Sequence, residues 1–296
     1  MRKLTDAQRE QWDTDGYVII EGALTPEEVA LYGAEVDRIR GVPGYEPSPR
    51  KGLPIGHYDW LEHAVDLDCE GPMDRRDLIP YGQPFIDLID RPNVFDLVVD
   101  IMGPYITLSM SQAIVRASDD FSGYTHTDGG EALRRIRVTD ESWPLSLKAL
   151  YLLTDTMEKN HGNFTVFPGS HSEQIPYNTA KPTAGNPANE KTVSPYSDGA
   201  RQIMAKAGDC VLFQHSLWHG PARNESGHAR RTLLYNYCQL FMRQYDYFGM
   251  GAIPDSSTPR QRRLLGDLGY DFQPGSYFYV PTDQVEVIGG EDVHEG

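Results

Sequence analysis

The sequence predicts a mainly β fold, with a β core of the sandwich or barrel type and flanking α-helices. Beyond residue 104 the chain consists of short strand-like runs, several of which alternate apolar with polar residues between turn residues. Before residue 104 the apolar residues recur at helical spacing instead. No linker separates the two patterns, so we expect a single domain over 1–296. It has a helical N-terminal part (1–103), a β core (about 104–241) and a C-terminal extension (242–296).

Three helices and one strand are predicted in the N-terminal part. Thr5 and Gln8 have the spacing of a capping box, so a short helix should begin there, and residues 15–22 follow as an apolar strand. Thr25 opens a second helix that Gly41 ends, and a third covers 91–103. The apolar stripes of these two helices are Val29, Tyr32, Val36 and Ile39, and Val94, Leu97, Val98 and Ile101.

Five runs are predicted as the strands of the core. Residues 178–202 lie among them and are polar and rich in Pro, Gly, Asn and Ser, which predicts a lid or a disordered segment. The five runs are 105–116, 144–155, 162–170, 208–215 and 230–241.

Composition restricts the partners and the location. A formal net charge of −16 argues against nucleic acid, because phosphate binding requires a basic patch. The three cysteines form no CxxC pair, the N-terminus lacks a signal peptide, and no apolar run is long enough to cross a membrane. We therefore expect a soluble cytoplasmic protein that binds neither nucleic acid nor membrane.

The stretch "GYTHTDGG" carries the first candidate site. On a strand, His126 and Asp128 project to the same face because they are two residues apart. Together with one later histidine they would form the two-histidine, one-carboxylate set of non-haem Fe(II) oxygenases, which leaves coordination positions open. The later candidates are His171, His215 and His219. The triplet alone is equally compatible with a turn stabilised by Asp128.

Two arginines begin the last predicted strand. A guanidinium is a natural bidentate partner for a carboxylate, such as the far end of a dicarboxylate cosubstrate. Alternation along a strand lets only one of Arg230 and Arg231 face inward, and spacing alone does not choose between them. A solvated basic pair at a surface turn is the alternative interpretation.

Taken together, these segments resemble the phytanoyl-CoA dioxygenase family of Fe(II)/2-oxoglutarate oxygenases. The resemblance covers most of residues 4–241 in four ordered blocks. They are "LTDAQREQWDTDGYVIIEGALTPEEV", "HTDGG", "YLLTDTMEKNHGNFTVFPGSH" and "HGPARNESGHARRTL".

The resemblance implies a double-stranded β-helix, or jelly roll, that uses Fe(II), 2-oxoglutarate and O2. It implies that His126, Asp128 and His219 bind the iron, and that Arg230 binds 2-oxoglutarate while Arg231 faces outward. His219 is preferred to His215 because Gly220, Asn224 and the arginines follow it at the family's offsets.

Two further residues are predicted beside 2-oxoglutarate. Tyr151 stands where relatives place such a side chain, although a buried core tyrosine is an equal alternative. Gln112, on the strand before the HxD motif, is the second, and it would bond a carboxylate of the cosubstrate. The alternative is that Gln112 is a strand residue without a special role. The chain departs from the family at Pro221, where many relatives carry a hydroxyl residue.

The predicted activity is oxidation of a C–H bond of a small-molecule metabolite, as in natural-product tailoring, with release of succinate and CO2. Halogenases of this kind have a small residue in place of Asp128, so oxygen chemistry is expected. A cupin-type metalloenzyme without 2-oxoglutarate and a non-catalytic jelly-roll binding protein are the alternatives. Acidic residues predict, as a hypothesis, a cationic substrate. They are Asp59, Glu62 and Asp246, and the aromatic residues that would wall its pocket are Tyr45, Tyr58, Trp60, Tyr245 and Tyr247.

Overall fold

A computed structural model gives the architecture, and the account below concerns the residues that the structure describes. The predicted pocket-wall aromatics and the three acidic residues named above lie outside them, as do residues 178–193 of the predicted lid. The described residues are 2–40, 69–119, 125–128, 136, 142–172, 194–244, 253–269 and 280–289.

The first two helices begin where their capping boxes predict. Helix α1 covers Asp6–Asp15. The Thr5 side chain accepts a hydrogen bond from the backbone N–H of Gln8, and the Gln8 side chain accepts one from the backbone N–H of Thr5. Helix α2 covers Pro26–Arg40, and the same reciprocal pair joins Thr25 and Glu28. Both N-termini are therefore specified locally, before any tertiary contact.

The remaining helices pack against the core or lie in the C-terminal extension. Helix α3 covers Gln83–Asp87, and α4 covers Pro92–Met102, with Val94, Leu97, Val98 and Ile101 buried as predicted. Helices α5 (Pro259–Leu264) and α6 (Gln284–Ile288) follow the β core. None of the helices in the described ranges is long and apolar enough to cross a membrane.

In the part of the chain that the structure describes, nine strands form two antiparallel sheets. The large sheet has the order β1-β7-β4-β9-β3-β2 and the small sheet the order β6-β5-β8. The strands are β1 Tyr17–Ile20, β2 Met73–Arg76, β3 Ile106–Arg116, β4 Ser146–Leu152, β5 Phe164–Val166, β6 Arg201–Gln202, β7 Cys210–Gln214, β8 His219–Pro221 and β9 Arg230–Gln239. The predicted mainly β fold with flanking helices is confirmed.

The two faces of the large sheet bury different clusters. The face toward the helices, called the helix side, packs Leu147, Tyr151 and Tyr235 against helix residues such as Val36 and Phe95. The face toward the small sheet, called the inner side, packs a second, smaller apolar cluster. That cluster comprises Tyr17, Met110, Leu150, Leu152, Val166, Ile203, Ala205, Val211, Phe213, Leu217 and Leu234. Alternation along each strand assigns neighbouring residues to opposite faces.

Two expectations need correction, and strands β2 and β8 are present although the sequence did not predict them. The predicted strand over 162–170 is shorter, because residues 167–172 turn back to the end of α1, where Gly169 N–H donates to the Asp15 carbonyl. Arg201–Gln202, predicted as part of a lid, pair with β5 instead. Strand β2 was not predicted, since its sequence MDRR is polar, yet it pairs with β3 at the sheet edge.

Candidate metal centre

Backbone pairing positions the HxD stretch beside strand β8. The N–H of His126 donates to the His219 carbonyl at 2.7 Å, and the N–H of His219 returns the bond to the His126 carbonyl at 2.8 Å. The N–H of Asp128 donates to the carbonyl of His215 at 2.9 Å. These bonds bring together two segments that lie about ninety residues apart in sequence.

The three side chains converge on one point. One ligand atom from each of His126, Asp128 and His219 lies within 4.8 Å of the others. Asp128 Oδ1 is 3.9 Å from His126 Nε2 and 4.0 Å from His219 Nε2. Two imidazole nitrogens and one carboxylate oxygen on one face of an octahedron are the donor set of non-haem Fe(II) centres. The donors present therefore fit an iron ion.

Hydrogen bonding leaves the ligand nitrogen of His219 available. Its Nδ1 lies 2.8 Å from the Leu217 carbonyl, to which Nδ1–H donates, and Nε2 then faces Asp128. Phe164 and Phe213 pack their rings 5.3 and 4.8 Å from the imidazole. Burial lowers the pKa of His219 despite the pull of Asp128, so the imidazole is neutral, as a metal ligand must be.

Lys148 contacts the carboxylate of the cluster. Its Nζ lies 2.5 Å from Asp128 Oδ1, and both side chains are nearly buried. Burial alone would raise the pKa of Asp128, but the Lys148 ammonium, which also donates the hydrogen bond, is the largest opposing influence, and that pKa lies far below its ordinary value. Asp128 is therefore a carboxylate with negative charge to offer a cation.

The other two candidate histidines lie outside the cluster. His215 is buried, with Nδ1 3.2 Å from the Ser146 carbonyl. His171 approaches the Asp13 carbonyl through Nε2 and covers Gly16, where an added Cβ would come within 2.4 Å of the ring. The geometry thus favours His219 over His215, in line with the preference stated from the family's offsets.

Arg230 is a buried guanidinium on the inner side. Its Nη1 donates to Thr232 Oγ1 at 2.8 Å, and its Nε has no hydrogen-bond acceptor among the described residues. Burial, reinforced by the nearby charge of Arg116, lowers the pKa of Arg230 to about 9. Gly162 permits this packing, since an added Cβ there would stand 3.2 Å from Arg230 Cβ. A buried cation of this kind calls for an anion.

Arg231 faces the helix side and is fully engaged. Its Nε lies 3.2 Å from Asp37 Oδ1 on α2, and its Nη2 donates to the Cys69 carbonyl at 2.8 Å and to Glu70 at 3.2 Å. Adjacent arginines therefore serve opposite faces of β9, and the inward one is Arg230, as expected.

The structure contradicts the prediction for Tyr151. Its ring packs edge-on against Tyr235 at 6.2 Å within the helix-side cluster, whereas Lys148 and Leu150 face inward. An odd-numbered residue of β4 cannot share the face of Lys148, because strand side chains alternate. Tyr151 is a buried core tyrosine and not a neighbour of the metal cluster.

Gln112 does face the inner side, opposite Leu234 of β9. Its Nε2 donates to Asp74 Oδ1 at 2.5 Å. Its contact with 2-oxoglutarate stays a prediction. Pro221 pairs with Phe164 in the small sheet.

Sequence reasoning missed Lys148 and Thr232. The signal for Lys148 was present, since one lysine inside the apolar strand SLKALYL must be buried on one face or the other. The signal for Thr232 was its place two residues after Arg230, on the same face of β9. Neither signal shows what the side chain contacts, because that depends on the partner strands.

Fold and cluster together resemble those of the non-haem Fe(II)/2-oxoglutarate-dependent oxygenases. Residues 112–232 match the family model of Phytanoyl-CoA dioxygenase (PhyH), which confirms the resemblance over that stretch. That stretch contains the HxD motif, the distal histidine and both arginines.

Relatives and solved structures agree with this assignment. An ectoine dioxygenase of Nocardia farcinica is 24% identical over 240 residues, covering 73% of this chain and 72% of the relative. HygX of Streptomyces hygroscopicus, with nickel, 2-oxoglutarate and hygromycin B bound, matches with a TM-score of 0.61 at 21% identity, over 81% and 90% of the two chains. The epimerase SnoN from nogalamycin biosynthesis matches with a TM-score of 0.55 at 21% identity, over 84% of this chain and 89% of that chain. The predicted jelly-roll fold is thereby confirmed.

Proposed function

We propose that this enzyme binds Fe(II) through His126, Asp128 and His219 and the distal carboxylate of 2-oxoglutarate through Arg230, and that it oxidises a C–H bond of a small-molecule metabolite. The observation that carries the proposal is the combination of two features on the inner side of the large sheet, where Lys148 of β4 contacts the cluster through Asp128 and Arg230 extends from β9. One is the compact three-ligand cluster, and the other is a buried arginine without an acidic partner among the described residues.

The protein's own contribution is to hold and shield the reactants. His219 is oriented by the Leu217 carbonyl and walled by Phe164 and Phe213, which limits the access of water on that side. Thr232 accepts from the Arg230 guanidinium and keeps it directed along the inner face. When bound, iron and 2-oxoglutarate supply the oxidising chemistry, in which O2 is consumed and succinate and CO2 are released.

Arg230 separates this proposal from a cupin-type enzyme without 2-oxoglutarate. Such an enzyme would use the histidines but has no need for a buried guanidinium, which is costly to bury unless an anion pairs with it. Asp128 likewise argues against halide chemistry, since its carboxylate fills the position that a halide would need. The residues present therefore favour oxygen insertion or a related C–H oxidation.

The substrate is proposed to be a small metabolite, as in natural-product tailoring. Support comes from the ectoine named for the Nocardia relative, the hygromycin B bound to HygX and the nogalamycin biosynthesis that SnoN serves. A cationic charge on the substrate stays a prediction, because the acidic residues that motivated it lie outside the described residues.

Anaerobic titration of the purified enzyme with Fe(II) and 2-oxoglutarate tests the proposal. We expect a weak visible charge-transfer band, which should vanish in His219→Ala and persist in His171→Ala. These variants remove the same ring from inside and outside the cluster. A wild-type enzyme without a band, or a band that survives His219→Ala, would refute the ligand assignment.

The substrate class needs a second experiment. Incubation with Fe(II), 2-oxoglutarate, O2 and members of a metabolite library should give succinate in excess of the uncoupled background for a subset of small molecules. The Asp128→Ala variant serves as the blank. Succinate release that no library member stimulates would argue against a small-molecule substrate.

A further inference from the structure

We propose that Lys148 couples metal binding to cosubstrate binding, because its ammonium opposes the bare metal ion and is compensated when the 2-oxoglutarate dianion arrives. This inference rests on the proposed function. It assigns a positioning and charge-balancing role to a residue on the central strand β4.

Lys148 is built into the wall of the site. It stands opposite Phe213 of β7 on one side and Asn236 of β9 on the other, so the backbone of three paired strands sets its direction. Its side chain is 12% exposed, and Nζ lies 5.9 Å from the centre of the Phe213 ring. A long, flexible side chain held in this way cannot withdraw to solvent without leaving its packing.

The contact is with the oxygen that the metal would use. Lys148 Nζ is 2.5 Å from Asp128 Oδ1, the atom that also faces both imidazole nitrogens. Metal–carboxylate bonds are about 2 Å long, so a metal on this oxygen lies no farther than about 5 Å from the ammonium. Within the described part of the chain, Asp128 is the one acidic partner of Lys148. Lysine and metal must therefore share it.

Charge balance gives the direction of the effect. Fe(II) and Asp128 leave one positive charge, to which Lys148 and Arg230 each add one. The 2-oxoglutarate dianion offsets two of these three charges. Because the Lys148 and Asp128 side chains are largely buried, solvent screens their charges little, so the metal alone is repelled by Lys148 and the dianion removes most of that penalty. Affinities for metal and cosubstrate then rise together, as linkage requires.

Binding of Mn(II), followed through the magnetic-resonance signal of the free ion, tests the inference without turnover. The dissociation constant is measured for Mn(II) alone and with the unreactive 2-oxoglutarate analogue N-oxalylglycine. In the wild type the analogue should tighten Mn(II) binding at least about tenfold. In Lys148→Met, Mn(II) alone should bind at least about tenfold tighter, and the effect of the analogue should shrink accordingly.

The sign of the change distinguishes the proposal from a structural role. A lysine that merely orients Asp128 predicts weaker Mn(II) binding in Lys148→Met, and that result, or an unchanged effect of the analogue, would overturn the inference. Lys148→Arg should behave as the wild type because it keeps the charge. Lys206→Met, which makes the same change at an exposed lysine before β7, is the matched control.

Failure of the proposed function has a different signature. If N-oxalylglycine does not tighten Mn(II) binding in the wild type, the assignment of 2-oxoglutarate itself is wrong and this inference falls with it. If the wild type shows the coupling and Lys148→Met keeps it in full, only the role of Lys148 is wrong. Should Lys148→Met not fold, Lys148→Gln provides the uncharged side chain.

Discussion

The two faces of the large sheet are formed by the same strands, but their buried polar and charged groups have different kinds of partner. On the helix side, the buried hydroxyls of Tyr235 and Tyr237 donate to the backbone carbonyls of Phe85 and Ile89. On the inner side, beside an apolar cluster, Lys148 is paired with Asp128 of the metal cluster, and Arg230 is buried without an acidic partner among the described residues. The hydrogen bonds on the helix side stabilise the fold, whereas the buried charges on the inner side are the groups to which we assign metal and cosubstrate binding.

Arg230 and Arg231 show the difference at adjacent positions. Arg231 pairs with Asp37 and Glu70, which come from segments packed on the helix side. Among the described residues, Arg230 has the neutral Thr232 as its hydrogen-bond partner, and burial without an acidic partner lowers its pKa. Arg230 and Arg231 are adjacent in sequence, but their guanidiniums have different partners and should therefore have different roles.

The largest effect is expected from Arg230→Met. Truncating one partner of a buried charge pair weakens such a complex by roughly 100-fold or more, so the dissociation constant for 2-oxoglutarate should rise by that factor. Anaerobic titration of the charge-transfer band measures it. Free energies of unfolding from denaturant melts should stay equal to or above that of the wild type, because an uncompensated charge is removed. A 2-oxoglutarate affinity within threefold of the wild type would contradict the proposed role.

Arg231→Met should show the converse. It loses two ion pairs and a bond to the Cys69 carbonyl at a largely buried position, so the free energy of unfolding should fall by about 2 kcal/mol. Its 2-oxoglutarate affinity should match that of the wild type. Urea denaturation and the same titration provide both numbers. A stable variant with weakened cosubstrate binding would show that the two arginines are assigned to the wrong faces.

A smaller effect is expected from Tyr235→Phe on the helix side. Removing its hydroxyl breaks the 2.7 Å bond to the Phe85 carbonyl, which should cost about 1 kcal/mol of unfolding free energy without changing succinate formation. If succinate formation falls in Tyr235→Phe while its unfolding free energy does not, the contrast between the two faces is wrong, because the tyrosine would then affect the site across the sheet.

The smallest effect, of opposite sign, is expected from Tyr151→Phe. The Tyr151 hydroxyl is buried and has no partner among the described residues, and burial raises its pKa well above the ordinary value. Its removal should stabilise the protein by up to about 1 kcal/mol and leave 2-oxoglutarate affinity unchanged. Thermal melts and the band titration check both points. Weakened cosubstrate binding would restore the original prediction for this residue.

Much of the molecule follows from short-range pattern. The capping boxes at Thr5 and Thr25 began two helices correctly, since a cap needs only residues three apart. The HxD motif indicated a shared face because alternation is a property of a single strand. Strand β2 escaped prediction because its polar sequence becomes a strand only when β3 offers an edge to pair with.

The sequence by itself determined the strands β1, β3, β4, β7 and β9 of the large sheet, the ligand types and the order of the motifs, since these depend on local propensity and side-chain chemistry. Only the tertiary structure decided which face each side chain serves. It joined His126 to His219 through backbone bonds, directed Tyr151 into the core and brought Lys148 against Asp128. The physical reason is that the register between distant strands sets these contacts, and register depends on packing across the whole sheet.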